Sequence, residues 1–217
     1  MAPLFRRRAN SLAVVILVGI LALLVAISVF AYVVYRSPYQ TDVGYAPEQP
    51  VPFSHQHHVG GLGLDCRYCH SGVETSDFAG IPPTLTCMTC HSQEWTNAEM
   101  LAPVRQSLTT ETPLSWTRVH DLADYVYFSH RAHVNNGVGC ESCHGRVDKM
   151  PMTVQKAPLT MKWCLSCHRN PAPNLRPLDE ITTMGYSPAT DGISGQTLMQ
   201  RYRIHPDTLK ECATCHR

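Results

Sequence analysis

The chain has 217 residues, room for one domain or two small ones. Its formal charge is +1 with histidine neutral, which argues against a nucleic-acid partner. Sixteen prolines and thirteen glycines argue against a large side-chain core built from long regular elements.

In chain order, residues 1–10 read as a short cytoplasmic N-terminus, because Arg6, Arg7 and Arg8 precede a long apolar run and positive charge stays inside. The run, residues 11–35, carries no charge before Arg36. At roughly 1.5 Å per residue it crosses a hydrocarbon core of about 30 Å, with Phe30, Tyr32 and Tyr35 at the outer interface. A cleaved signal peptide is the rival reading. The run exceeds a usual h-region and no A-x-A-like site follows it, so an uncleaved signal-anchor helix is expected. The paired arginines also raise twin-arginine export, although ordinary secretion suffices. Residues 36–50 read as a Pro-rich linker, in which Pro38, Gly44, Pro47 and Pro50 forbid a continuous helix. The rest, 51–217, is then expected on the periplasmic face of a bacterial inner membrane.

That part is organised around Cys-x-x-Cys-His, used five times: Cys66–Cys69–His70, Cys87–Cys90–His91, Cys140–Cys143–His144, Cys164–Cys167–His168 and Cys212–Cys215–His216. All ten cysteines fall in these copies. Two thiols three positions apart each form a thioether to one vinyl group of a haem, and the histidine that follows is held beneath the iron. Paired C-x-x-C zinc sites fit some of the spacings but do not require a histidine after every second cysteine, and the fifth copy has no partner. C-x-x-C disulfides are strained redox bridges, not staples. The motif therefore predicts five covalently attached haem c groups and a multihaem cytochrome c fold: mostly irregular, with short helices packed round five haems, plus one N-terminal transmembrane helix. Helical turns are expected at each motif, with a short helix around 97–108 and few strands.

An internal repeat underlies the order of motifs. Phe53-Ser54-His55-Gln56-His57-His58-Val59 and Phe128-Ser129-His130-Arg131-Ala132-His133-Val134 both read F-S-H-x-x-H-V. Six residues separate the first copy from Cys66 and five separate the second from Cys140. Each copy carries two haem motifs, giving diheme modules over 51–100 and 126–172 and a C-terminal haem over 205–217. The spacing puts two imidazoles about 300° apart on a helical turn, so one element serves two neighbouring haems. The seven histidines outside the motifs are the distal candidates. Four stand in the H-x-x-H stretches, and for the fifth ligand His120, in the more structured context, is favoured over His205 or a methionine such as Met161; His57 reads as a bystander. If every iron has two protein ligands, none is open to a substrate, which favours an electron wire over an enzyme with an open haem, such as a multihaem nitrite reductase.

The two stretches resemble those of small class III cytochromes c. That likeness implies His55 as distal ligand at Cys66/Cys69 and His130 at Cys140/Cys143, with His58 and His133 reaching to other haems. His120 in Val119-His120-x-Leu122-x-Asp124, then Val126-Tyr127-Phe128, Cys140-x-x-Cys143-His144-Gly145 and Met161-x-Trp163-Cys164-Leu165-x-Cys167-His168-Arg169-Asn170-Pro171 resemble the pentahaem cytochrome c subunit of bacterial alternative complex III, a quinol:acceptor oxidoreductase. The resemblance implies a non-catalytic electron-transfer subunit. Its partners would be a multi-span quinol-binding subunit, an iron–sulfur subunit and a monohaem cytochrome c or other periplasmic acceptor. Similar subunits occur in quinone-reducing complexes, where electrons flow the other way. A stand-alone membrane-anchored multihaem quinol dehydrogenase feeding a periplasmic reductase is the alternative from another class.

Overall fold

The structure is a computed structural model that describes residues 7–188 and 192–216. Residues 1–6 of the expected cytoplasmic segment, with Arg6, lie outside the described residues, as does residue 217 at the end of the expected C-terminal haem segment. Two units are distinct, Met1–Asp42 and Val43–Arg217.

The first unit is one 29-residue helix, Arg7–Tyr35, followed by a single turn, Pro38–Thr41. The long helix begins before Ser11 because Arg8 and Ala9 are good helix formers and nothing there breaks the turn. At 1.5 Å per residue it is about 43 Å long, and it is apolar on every side. Leu12, Leu17, Leu21 and Phe30 are all exposed. Among the described residues it is the helix long and apolar enough to cross a membrane. At its end Arg36 bonds to the Tyr32 hydroxyl and lies over its ring, and the Ser37 hydroxyl donates to the Val34 carbonyl at 2.7 Å. Pro38 starts the next turn, where its missing N–H costs nothing, and Asp42 ends it in the left-handed region at φ 53°. The linker thus holds one helical turn and no continuous helix.

The second unit is a succession of short helices joined by Pro- and Gly-containing loops. Each Cys-x-x-Cys-His sits on a helical turn: Cys66–Cys69, Thr84–His91, Glu141–His144, Met161–Arg169 and Cys212–Cys215. Two of these turns are capped by side chains. The Asp65 carboxylate accepts from Arg67 N at 2.8 Å and the Thr160 hydroxyl from Trp163 N at 3.3 Å. The helix expected around 97–108 is a 3₁₀ turn, Glu99–Leu101, running into Ala102–Thr110. Among the described residues the only β pairing is a lone antiparallel bridge between Val138 and Leu175.

The repeat is visible, with one difference. His130–Val134 is a short α-helix capped by Ser129, whereas Gln56–Gly61 is a π-helical turn. The first connector is one residue longer, and a π turn is how a helix absorbs one extra residue.

The side-chain core is thin. Val51, Leu101 and Val104 pack with Cys87, Met88 and Trp116, while Val73, Val134 and Ile181 pack with Ala79 and Cys140. Leu175 and Leu198 are the largest fully buried side chains. In both clusters a motif cysteine is part of the packing, so the apolar core is built against the attachment points.

Candidate functional site

Four of the five motif histidines face a second imidazole. His70 stands opposite His55 with ring centroids 6.4 Å apart and planes 11° from parallel. His144 faces His130 at 6.4 Å and 9°, and His168 faces His133 at 6.0 Å and 29°. His91 faces His58 at 6.1 Å with planes at 68°. These separations are too long for stacking. Two metal–imidazole bonds of roughly 2 Å each, plus the ring radii, put the centroids of two trans imidazoles about 6 Å apart. The donor set therefore fits one iron between each pair.

Backbone carbonyls, which only accept, fix the tautomers of seven of these imidazoles. An imidazole that donates through Nδ1 leaves Nε2 as the coordinating atom. His70 Nδ1 lies 2.6 Å from Gly80 O, His91 Nδ1 3.2 Å from Glu94 O, His168 Nδ1 2.9 Å from Leu209 O and His216 Nδ1 3.0 Å from Tyr125 O. The facing set is held likewise: His58 by Ser54 O at 2.9 Å, His133 by Ser129 O at 2.7 Å, His130 by Asp77 O at 2.9 Å and His55 by the Thr153 hydroxyl at 2.8 Å. One aromatic ring per repeat copy sets the orientation further. Phe53 stacks on His58 at 4.5 Å and meets His55 edge-on at 4.9 Å; Phe128 stacks on His133 at 4.5 Å and meets His130 edge-on at 4.8 Å. The Phe of F-S-H-x-x-H-V was legible in the sequence as part of the repeat, but its role as a wedge between two imidazoles needed the fold.

Burial and mutual proximity favour the neutral form of His55, His58, His120, His133 and His144, which is the state that coordinates metal. Burial first, then His70 and His58, lowers His55 to about 4. Burial, followed by His120, His130, His70 and His55, lowers His144 to about 3. His133 and His120 are also lowered, in each case by burial first. The causes at His144 show that the imidazoles of the first and third motifs share one crowded region.

The fifth motif is held but differently served. Tyr127 N donates to Cys215 O at 2.8 Å, and the Tyr125 ring stacks 5.8 Å from His216 at 28°. His120 lies edge-on to His144 at 4.4 Å, too close for a metal between them, and its Nε2 is buried with no partner among the described residues. Among the described residues no imidazole ring pairs with His216, whose ring meets that of Tyr125. His205 is exposed, with its carbonyl accepting from Thr208. Met161 is exposed at the first position of its helix, and His57 is exposed against the Trp95 ring at 5.7 Å.

All ten thiols are free of disulfides. Among the described residues no three or more His, Cys, Asp or Glu side chains gather as a metal-chelating cluster, so the C-x-x-C pairs are not arranged as zinc ribbons. Thiols of different motifs do come together: the Cys140 thiol against it, and then burial, raise Cys66, and burial with Cys167 and Cys164 nearby pushes Cys143 up to about 12.

Residues 126–217 match the family of cytochrome c7 and related cytochromes c. Over 98 residues the chain is 38% identical to the protein named menaquinone reductase, multiheme cytochrome c subunit, of Nitratidesulfovibrio vulgaris (strain Hildenborough). The match covers 45% of this chain and 46% of the relative, so the chain spans less than half of that relative's length. Over that part the chain is similar to multihaem cytochromes c, proteins that carry covalent haem c and transfer electrons.

Proposed function

We propose that this multihaem cytochrome c holds five haem c groups and is the electron-transfer subunit of a membrane-bound quinone oxidoreductase complex. The reading rests on the four imidazole pairs at 6.0–6.4 Å. A haem c closed on both faces supplies reversible one-electron transfer and no open site for a substrate. The chain's residues do the rest. The cysteines of the five motifs fix the attachment points. His70, His91, His144, His168 and His216 are the proximal donors, and His55, His58, His130 and His133 the distal ones, all but His144 held by an Nδ1 hydrogen bond. His120, with its buried unpaired Nε2, is the candidate for the fifth distal position. The apolar helix at 7–35 anchors the chain in the bacterial inner membrane with the haem-bearing unit on the periplasmic side.

Two directions of flow suit this design. In the first, electrons leave a multi-span quinol-binding subunit, pass an iron–sulfur subunit and cross the chain to a periplasmic monohaem cytochrome c. The similarity to a menaquinone reductase subunit favours the second, in which periplasmic electrons cross to menaquinone. Mild-detergent purification from native membranes, with haem staining and mass spectrometry of the native band, tests the assembly. Co-migration with a multi-span quinone-binding subunit is the expected outcome. Migration alone, or with only a soluble reductase, sinks it in favour of a stand-alone quinol dehydrogenase. Pre-steady-state reduction of the isolated complex by menaquinol, compared with oxidation of its reduced form by menaquinone, decides the direction.

A further inference from the structure

The two copies of the repeat touch each other through equivalent residues. Gln56 follows the first histidine of one copy and Arg131 the first histidine of the other. Gln56 N donates to Met150 O at 3.0 Å, and Arg131 N donates to Ser76 O at 3.1 Å. Met150 and Ser76 each stand ten residues beyond the first cysteine of their own copy, Cys140 and Cys66. The next contact is reciprocal as well. Gly60 and Asn135 each come two residues after the second histidine of their copy. A Cβ on Gly60 would lie 2.3 Å from Asp148 O, and Asn135 Nδ2 donates to Glu74 O at 3.0 Å. Asp148 and Glu74 are each eight residues beyond the first cysteine of their copy. The exchange reaches the ligands themselves: His55 Nδ1 is held by Thr153 of the second copy, and His130 Nδ1 by Asp77 of the first.

When residue i meets j of the other copy and j meets i in return, the interface is isologous, the signature of a two-fold axis. We infer that the two diheme modules are docked face to face as an internal pseudo-dimer, which sets the five attachment motifs in one row in the order second, first, third, fourth, fifth. A two-fold places equivalent parts on either side of its axis. The motif opposite the first histidine of each copy, first and third, therefore lies at the centre, and the motif opposite the second histidine, second and fourth, lies outside.

Independent contacts join each neighbouring pair. The Tyr68 and Thr89 hydroxyls, in the first and second motifs, are 2.9 Å apart. Val73, just beyond the first motif, packs with Val134 and Ile181 against Cys140 of the third, and Cys140 N donates to Ile181 O at 3.1 Å. His130 and His133, which face the third and fourth motifs, share one short helix. His168 of the fourth motif is held at 2.9 Å by Leu209, three residues before the fifth. The thiol environments agree, with Cys87 beside Cys69, Cys140 beside Cys66, Cys167 beside Cys143 and Cys215 beside Cys164. Sequence order is thus broken at one place, the junction of the modules, and the ends of the row are the second and fifth motifs.

The inference rests on the proposed function only for the attachment of haem at the motifs. Its test is the set of iron positions in the full-length haem-loaded protein in detergent, located by anomalous X-ray scattering at the iron edge and assigned by the thioether cysteines. The order stands if the shortest separation between an iron of one module and an iron of the other joins the first and third motifs. It is overturned if the second motif's iron is the neighbour of the third's. Electron exchange with monohaem cytochrome c in either direction, reduction of the ferric or oxidation of the ferrous form, is read separately with the same preparation. Irons in the inferred order with no exchange in either direction refute the functional reading and leave the order in place; exchange with irons in sequence order does the reverse.

Discussion

At the scale of single residues, the recurring device is a histidine whose Nδ1 is tied to an oxygen while Nε2 is left to coordinate. His130 carries the device from Asp77 O, across the module junction. Replacing it, His130→Ala, removes one face of one pair and leaves the covalent attachment intact. We expect a haem-loaded variant with one high-spin iron, binding one equivalent of carbon monoxide on reduction; a fully low-spin spectrum would contradict the pairing of His130 with His144. His120 poses the complementary question, because its Nε2 is buried and unpaired yet it does not face His216. His120→Ala should likewise yield one carbon-monoxide-binding haem, and an unchanged spectrum would remove it from the ligand set.

Asp65 makes a pH-dependent contribution. A hydrogen bond from Arg67 is the first cause that holds its carboxyl at about 2, below the usual value of 3.8. A depressed acid stabilises the fold at pH values above its unfolded value, and that contribution disappears as pH falls through about 2. Asp65→Asn should therefore lower the thermal midpoint at pH 7, with the gap to the parent narrowing between pH 4 and pH 2. The pair is half exposed and screened, so the shift is small.

At the scale of elements, short helices are fixed by their ends and by close approaches. Gly137 sits at φ +81°, and a Cβ there would come within 2.5 Å of the Tyr202 ring and 2.8 Å of Arg176 O. Gly137→Ala combines a left-handed backbone with a clash, and we expect a loss of ~1–3 kcal/mol, read by thermal unfolding of the haem-loaded protein. Gly63 is also left-handed, at φ +69°, but has nothing within 4 Å, so Gly63→Ala should cost less. The long helix answers to a different solvent. Leu21 is exposed at its middle, and a central arginine costs about 2.5–3.5 kcal/mol to insert. Leu21→Arg should shift the protein from the carbonate-resistant membrane fraction towards the soluble one; full retention would argue against anchoring by this helix.

At the scale of the whole molecule, two small apolar clusters and a handful of buried side chains are a thin core for the 175 residues of Val43–Arg217. Conformational entropy of ordering so many loops is of the same order as the burial that opposes it, and the proposed covalent haems would supply the missing apolar surface. Expression in cells unable to attach haem c should give a chain without a cooperative unfolding transition, monitored by circular dichroism. A sharp transition in that haem-free chain would show that the side chains suffice.

Much of this was legible in the residues themselves. Cys-x-x-Cys-His states covalent chemistry at fixed spacing, so the proposed attachment points and proximal histidines are read from the residues without the fold. The apolar run before Arg36 states its length directly, and F-S-H-x-x-H-V exposed the repeat and four imidazoles because helical geometry puts them on one element. The tertiary structure alone decided what depends on residues far apart in the chain. It turned the longer first connector into a π turn, set the His120 ring edge-on to His144, and supplied Asp77 and Thr153 as holders of histidines in the other copy. Local spacing fixes which atoms can bond within a turn, whereas the docking of one module on the other is chosen by shape and hydrogen bonding across the whole unit, and no local pattern encodes it.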